Sequence, residues 1–168
     1  MQTEQREELK QRFDFEAWRE RNLLGSTATL KPFELGDNDL PGWRIRRRSD
    51  NPAVRPPVLK TVWTPRSGSD QGLLSIAVSF CDSLQAAHEQ LLDWLGDFES
   101  TAVKERSELQ IGDVAFGISE PWMLLFARAN VVVLVRNAGP RLVGVHDEAR
   151  ALDSRIISQV RGPSPQVP

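Results

Sequence analysis

Apolar side chains recur at the three- and four-residue spacing of an amphipathic helix in three stretches of the chain. The first stretch, residues 1–24, is rich in Glu, Arg and Gln and stops before Gly25, a residue type that commonly ends helices. The second, 84–98, follows Asp82, which is positioned to cap its first turn. The third, 145–160, is followed by a Pro-rich tail. These stretches predict three helices.

Between the helices the pattern changes to the two-residue alternation typical of strands, together with two very apolar runs. We expect strands at 43–48, 59–64, 72–80, 103–109, 114–118, 122–127 and 131–135. The Ala129-Asn130 pair predicts a tight turn between the last two. The order of elements predicts an α+β fold: a mainly antiparallel sheet of about six or seven strands, covered by two helices on one side, plus the N-terminal amphipathic helix.

The length of 168 residues is typical of one domain and allows a sizeable core. We expect an N-terminal amphipathic helix over 1–24, a single α+β domain over 25–161 and a flexible Pro-rich tail over 162–168. The apolar stripe of the N-terminal helix can pack either on its own domain or on another chain. We favour packing on its own domain.

Charge and hydropathy narrow the class of protein further. The formal net charge is -2 and the pI about 5.7, which disfavours general nucleic-acid binding. Arg128 interrupts the longest apolar stretch, so the sequence predicts no transmembrane segment. The location of the protein stays open: cytoplasmic if Met1 is native, cell envelope if a leader was removed.

Cys81, His88 and His146 are the only candidates for nucleophilic catalysis. For a metal site the candidates are the two histidines with Glu89, Asp147 and Glu148, and for calcium Asp37 and Asp39, whose loop lacks the ligand order of a calcium site. Cys81 is the single cysteine, and His88 and His146 are the only histidines. A thiolate needs a nearby base and an orienting carboxylate, which Asp147 beside His146 offers only in principle. Cys81 sits where a buried strand meets a helix, a position typical of a structural cysteine. We therefore expect no enzyme activity, no cofactor and no metal site.

The segment "IGDVAFGIS...MLLFARANVVVLVR", with "ALDSRI" in the last predicted helix, resembles uncharacterised bacterial sensor-like and lipoprotein α+β modules. The resemblance covers the C-terminal third of the chain. Ala129 stands at the turn where those modules carry a glycine. The resemblance implies an extracytoplasmic module that binds or scaffolds a partner, and it carries over no catalytic residue.

A basic segment is the sharpest local charge feature. On a regular strand Arg44, Arg46 and Arg48 share one face, where they can bind phosphate or a carboxylate-rich partner. The competing interpretation is a solvated edge that its charge protects against aggregation.

The leading hypothesis is a non-enzymatic binding or assembly module that docks on a protein partner, or self-associates, through its N-terminal helix. The alternative is a small-molecule carrier or sensor with an apolar pocket lined by Trp43, Trp63, Phe116 and Trp122.

Overall fold

The structure is a computed structural model that describes residues 3–51, 56–67, 72–98, 100–120 and 122–162. Its helices and strands follow the predicted order. The helices are α1 Thr3–Arg12, α2 Phe15–Trp18, α3 Leu84–Gly96 and α4 His146–Arg161, with a short 3-10 helix at Ser107–Leu109. The strands are β1 Trp43–Asn51, β2 Val58–Pro65, β3 Leu74–Phe80, β4 Lys104–Glu105, β5 Val114–Gly117, β6 Met123–Arg128 and β7 Val131–Asn137. All of the tail predicted over 162–168 except Gly162 lies outside the described residues.

The strands form one seven-stranded sheet in the order β1-β2-β3-β7-β6-β5-β4, and every neighbouring pair is antiparallel. The prediction of an α+β fold with a mainly antiparallel sheet is confirmed. β7, the last strand in the sequence, lies between β3 and β6. It therefore joins strands β1–β3, which precede α3, to strands β4–β6, which follow it, at the centre of the sheet.

The helices cover both faces of the sheet, and the prediction that they lie on one side is wrong. The apolar face of α4, with the segment before β1, packs on the face that contains Ile76, Leu124 and Val133. Helix α3 packs on the opposite face, against Leu125 and Val132. The central strands are buried on both faces, which explains their near-continuous apolar runs.

The predicted helix over 1–24 ends early. After Arg12 the chain turns at Asp14, whose φ of 51° is left-handed, and only Phe15–Trp18 is helical again. The indole N–H of Trp18 donates to the carbonyl oxygen of Phe13 at 2.8 Å and closes this turn. Because the turn brings Phe13, Phe15 and Trp18 into the core beside α3, the N-terminal segment belongs to the domain and is not a separate arm.

The cap of α3 and the length of β4 differ from the prediction. Ser83, not Asp82, caps α3, because its hydroxyl accepts a hydrogen bond from the N–H of Ala86 at 3.0 Å. The strand expected over 103–109 shrinks to Lys104–Glu105 followed by a 3-10 turn. The predicted Ala129-Asn130 turn is present, with Ala129 at a positive φ of 52°.

Candidate functional site

One half of a sheet face carries no helix in the part of the chain that the structure describes. Helix α3 packs on β6 and β7, and none of the described helices covers the same face of β1, β2 and β3 beside it. The strand register identifies the side chains of this surface, because directly paired residues of antiparallel strands point to the same side. We call this surface the open face; its members are Arg44, Arg47, Ser49, Val58, Lys60, Val62, Thr64, Ser75, Ala77, Leu134 and Arg136, of which Val58, Thr64 and Ala77 are buried between their neighbours.

The open face is basic. Its four cationic side chains belong to exposed residues, listed from the edge strand inward as Arg44, Arg47, Lys60 and Arg136. In the part of the chain that the structure describes, none of the four forms a salt bridge. Half-buried apolar side chains, Val62 and Leu134, lie between these charges. Unpaired cations interleaved with apolar groups are suited to an acidic partner that also buries apolar surface.

A β-bulge changes which arginines share this face. The register slips between Ile45 and Arg47, so that Arg46 is an extra residue on β1. Beyond the bulge Arg47 pairs with Val62 on the open face, while Arg48 pairs with Thr61 on the opposite face. The prediction that Arg44, Arg46 and Arg48 share one face is therefore wrong.

The two ends of the basic segment have different surroundings. Arg48 forms an exposed ion pair with Glu34 at 3.4 Å, on the side of the sheet that α4 covers. Arg44 and Arg46 line a shallow depression together with Thr64. Of the predicted trio, Arg44 is the member that the register places on the open face.

A groove of about 330 Å³ lies between the C-terminal end of α3 and the open face. Trp94 and Phe98 form its apolar wall, and the small residues Ser75 and Ala77 leave room at its floor. The other lining residues are Val58, Lys60, Asp97, Leu134 and Arg136. The groove thus combines aromatic surface with two cations and one carboxylate.

The predicted tryptophan-lined pocket is not formed. Trp43 and Trp63 lie in the core on the α4 side of the sheet, whereas Phe116 lies in the core on the α3 side. Trp122 is 38% exposed. The sheet itself separates these side chains, because alternate residues of paired strands point to opposite faces.

The three candidate reactive side chains do not form a catalytic group. Burial raises the pKa of the Cys81 thiol to about 11, which disfavours the nucleophilic thiolate. His88 is fully buried, and its Nδ1 donates to the carbonyl oxygen of Arg19 at 2.8 Å. Burial lowers the pKa of both His88 and His146, with Arg106 and Arg150 adding to the effect at His146. No hydrogen bond joins Cys81 to a histidine among the described residues.

Carboxylates of the 36–40 loop have structural partners. Asp37 accepts a hydrogen bond from the N–H of Ile45 at 2.7 Å, and Asp39 accepts one from the N–H of Gly36 at 2.7 Å. Within the described ranges, no group of three or more His, Cys, Asp or Glu side chains is arranged to hold a metal ion.

Sequence reasoning missed a buried charge cluster at the β6–β7 turn. Arg128 donates to Asp153 through Nε at 2.7 Å and through Nη2 at 2.8 Å, and to Asp113 through Nη1 at 3.1 Å. Asp113 also accepts from the backbone N–H groups of Leu23 and Ala129, both at 2.8 Å. Burial opposes the charge of Arg128, yet the two carboxylates outweigh it and raise the pKa of the guanidinium. Because its members are buried and bonded to one another, the cluster is structural.

Arg136, Trp94 and Phe98 were also missed as site residues. Arg136 is the one exposed residue of β7, and it follows directly on the apolar run 131–135. A single charged residue directly after an apolar strand is the sequence signal that could have identified Arg136 as a site residue. Trp94 lies in the last turn of α3 and Phe98 two residues after its end; the sequence predicts this helix, but the role of the two side chains depends on the strands they face.

Comparison of the chain with protein-family models, with curated proteins and with solved structures found no match. None of the helices in the described part of the chain is long and apolar enough to cross a membrane.

Proposed function

We propose that this chain is a non-enzymatic binding module that docks on an acidic protein partner through the open face. The observation that carries the proposal is the half-sheet that no described helix covers, on which four cations with no salt bridge to a described residue surround half-buried apolar side chains. A solvated sheet face needs no such apolar content, and exposed apolar surface rimmed by charge is typical of interaction sites.

Charge complementarity selects an acidic protein over nucleic acid. The chain as a whole has a net charge of -2, so its long-range field repels a polyanion while the local patch attracts a small acidic surface. The groove on the open face also contains Asp97, and the C-terminal carbonyl groups of α3 carry partial negative charge beside it. A phosphate backbone carries a charge at every nucleotide and would bring several charges against these negative groups, whereas an acidic protein segment can place its few carboxylates at the cations alone.

The open face replaces the N-terminal helix as the proposed docking or self-association surface. Leu9 and Phe13, apolar residues of the predicted N-terminal helix, are buried in the domain's own core. Arg6 of α1 binds Glu89 and Asp93 of α3, which ties the helix down further. A partner that required this apolar stripe would first have to displace the helix.

The test is selection of binders from a random displayed peptide library, followed by affinity measurement on two matched variants. Arg47→Glu reverses a charge on the open face, whereas Arg48→Glu makes the same change one residue away on the opposite face. We expect acidic peptides whose affinity falls at least about tenfold, roughly 1.4 kcal/mol, with Arg47→Glu and changes little with Arg48→Glu.

Two outcomes would overturn the proposal. One is a set of selected peptides without acidic character, or with equal affinity for both variants. The other is tight binding of a labelled single-stranded oligonucleotide that Arg47→Glu abolishes, which would assign the same cations to nucleic acid.

The second candidate function, small-molecule binding, is favoured by a separate cavity of about 220 Å³. It lies between the 33–35 segment and β1–β2, with Phe33, Leu59 and Val78 as apolar wall and Arg48 and Glu34 at its rim. Ligand sites are typically ~300–1,000 Å³, so this cavity ranks below the open face. Binding of a ligand panel that Val78→Trp blocks would support it, and no binding from the panel would remove it.

A further inference from the structure

The groove beside α3 has the features of a receptor for one anchoring side chain. Ser75 and Ala77 are the small residues at its floor, and larger side chains, including Lys60, Leu134 and Arg136, surround them. This alternation of small and large residues produces a depression on a sheet that would otherwise be evenly filled. Its volume of about 330 Å³ is at the lower end of the ~300–1,000 Å³ range of ligand sites, which suits part of a partner more than a separate cofactor.

The wall of the groove offers an indole N–H, that of Trp94, with no acceptor among the residues that the structure describes. Trp18, Trp43 and Trp63 each donate their indole N–H to an acceptor within the protein. The indole of Trp94 donates to none of the described residues, and the residue is only half-buried. An aromatic ring with a free N–H provides both apolar contact and a polar contact for an incoming segment.

The charges around the groove determine the chemistry of its occupant. Lys60 pairs across the sheet with Ala77, and Arg136 pairs with Ser75, so the two cations stand on either side of the small floor residues. Asp97 is the one acidic residue among the groove's described lining, which leaves the groove with an excess of one positive charge. A peptide segment with an apolar side chain at its centre and carboxylates on either side can pack against the aromatic wall and pair with both cations.

We infer that the groove receives a short acidic segment of the protein partner, with one large apolar side chain against Trp94 and Phe98 and its carboxylates at Lys60 and Arg136. The inference rests on the proposed docking through the open face and names the segment that docks. Anchors of this kind, a buried apolar side chain within a polar rim, account for most of the affinity in many interfaces.

The experiment measures the affinity of library-selected peptides for groove variants. Trp94→Ala removes the wall, and Arg136→Gln removes one cation with little change in size. Loss of an anchor contact costs upwards of about 1–2 kcal/mol, so each variant should weaken binding by about tenfold or more. The selected peptides should share a large apolar residue within two positions of Asp or Glu.

Trp122→Ala is the matched control, because it removes an exposed tryptophan that does not line the groove. It should leave peptide affinity unchanged, and thermal unfolding of each variant should show that the fold is retained. A selected peptide should also shift the fluorescence of the wild type and not that of Trp94→Ala by the same amount.

The outcomes separate this inference from the proposed function. If Arg47→Glu abolishes binding while Trp94→Ala and Arg136→Gln leave it intact, docking on the open face stands and the groove inference is overturned. If none of the three weakens binding, both are overturned. Selection of peptides without a recurring apolar anchor also contradicts the groove inference.

Discussion

Arg128 and Asp153 form a two-point ion pair that is almost completely buried, with the guanidinium of β6 bonded to both carboxylate oxygens of an α4 residue. The pair joins the β6–β7 turn to the helix on one face, and Asp113 extends the same cluster to the backbone of Leu23. Four segments, those of Leu23, Asp113, Arg128 and Asp153, are thereby held together at one end of the sheet.

Asp153→Ala should destabilise the protein by about 3–5 kcal/mol, because it leaves the charge of Arg128 buried with only Asp113 as partner. Urea denaturation measures this as a loss of unfolding free energy. Ser154→Ala, at the next and exposed position of α4, should change it by less than about 0.5 kcal/mol. Equal effects of the two substitutions would show that the ion pair is not needed for the fold.

Gly112→Ala should destabilise more than Gly25→Ala. Both glycines have positive φ, 72° and 63°. A Cβ at position 112 would lie 2.6 Å from the carbonyl oxygen of Ala127, whereas a Cβ at position 25 meets nothing within 4 Å. We expect a loss of about 1 kcal/mol for Gly25→Ala from backbone strain alone. Gly112→Ala should exceed it by about 1–3 kcal/mol in thermal or urea unfolding, since backbone cannot move aside as a side chain can.

The free energy of unfolding should fall as the pH drops below about 6.5, the ordinary pKa of histidine. Burial lowers the pKa of His88, so in this range the unfolded chain binds the proton first and is stabilised by it. Stability therefore rises with pH through the window from the lowered pKa up to 6.5. His88→Leu should reduce this slope, with a remainder from His146, whose pKa is also lowered. An unchanged slope in His88→Leu would contradict the assignment.

The Cys81 thiol should react slowly with the disulfide reagent DTNB in the native protein. Burial raises its pKa to about 11, so both access and thiolate content are low at pH 8. In urea the same thiol should react at the rate of an exposed cysteine. A fast native reaction would show that Cys81 is accessible and would reopen its chemical role.

The order of elements could be predicted because each element carries its own periodicity. The apolar side chains of α3 and α4 recur at helical spacing, and the long apolar run of β7 marks a strand buried on both faces. What periodicity leaves open is which strands pair, so the sequence did not indicate that β7 joins β3 or that the helices lie on opposite faces.

The candidate site could be predicted only in part. The basic segment is visible in the sequence, but the bulge is not. Because Arg46 is an extra residue on β1, each later residue of the strand points to the face opposite to that expected for a regular strand, and Arg48 lies off the open face. Arg136 joins Arg44 and Arg47 through strand pairing alone, across a large separation in sequence. The segments quoted for the family resemblance contain Asp113, Arg128 and Asp153, but their contact depends on the tertiary fold.

The most direct test of docking through the open face is chemical-shift mapping of isotope-labelled protein titrated with a library-selected acidic peptide. We expect shifts concentrated at the side chains and amides around Arg44, Arg47, Lys60 and Arg136, with the indole N–H of Trp94 among the largest. Shifts concentrated instead on the exposed side of α4, or along α1, would contradict docking through the open face.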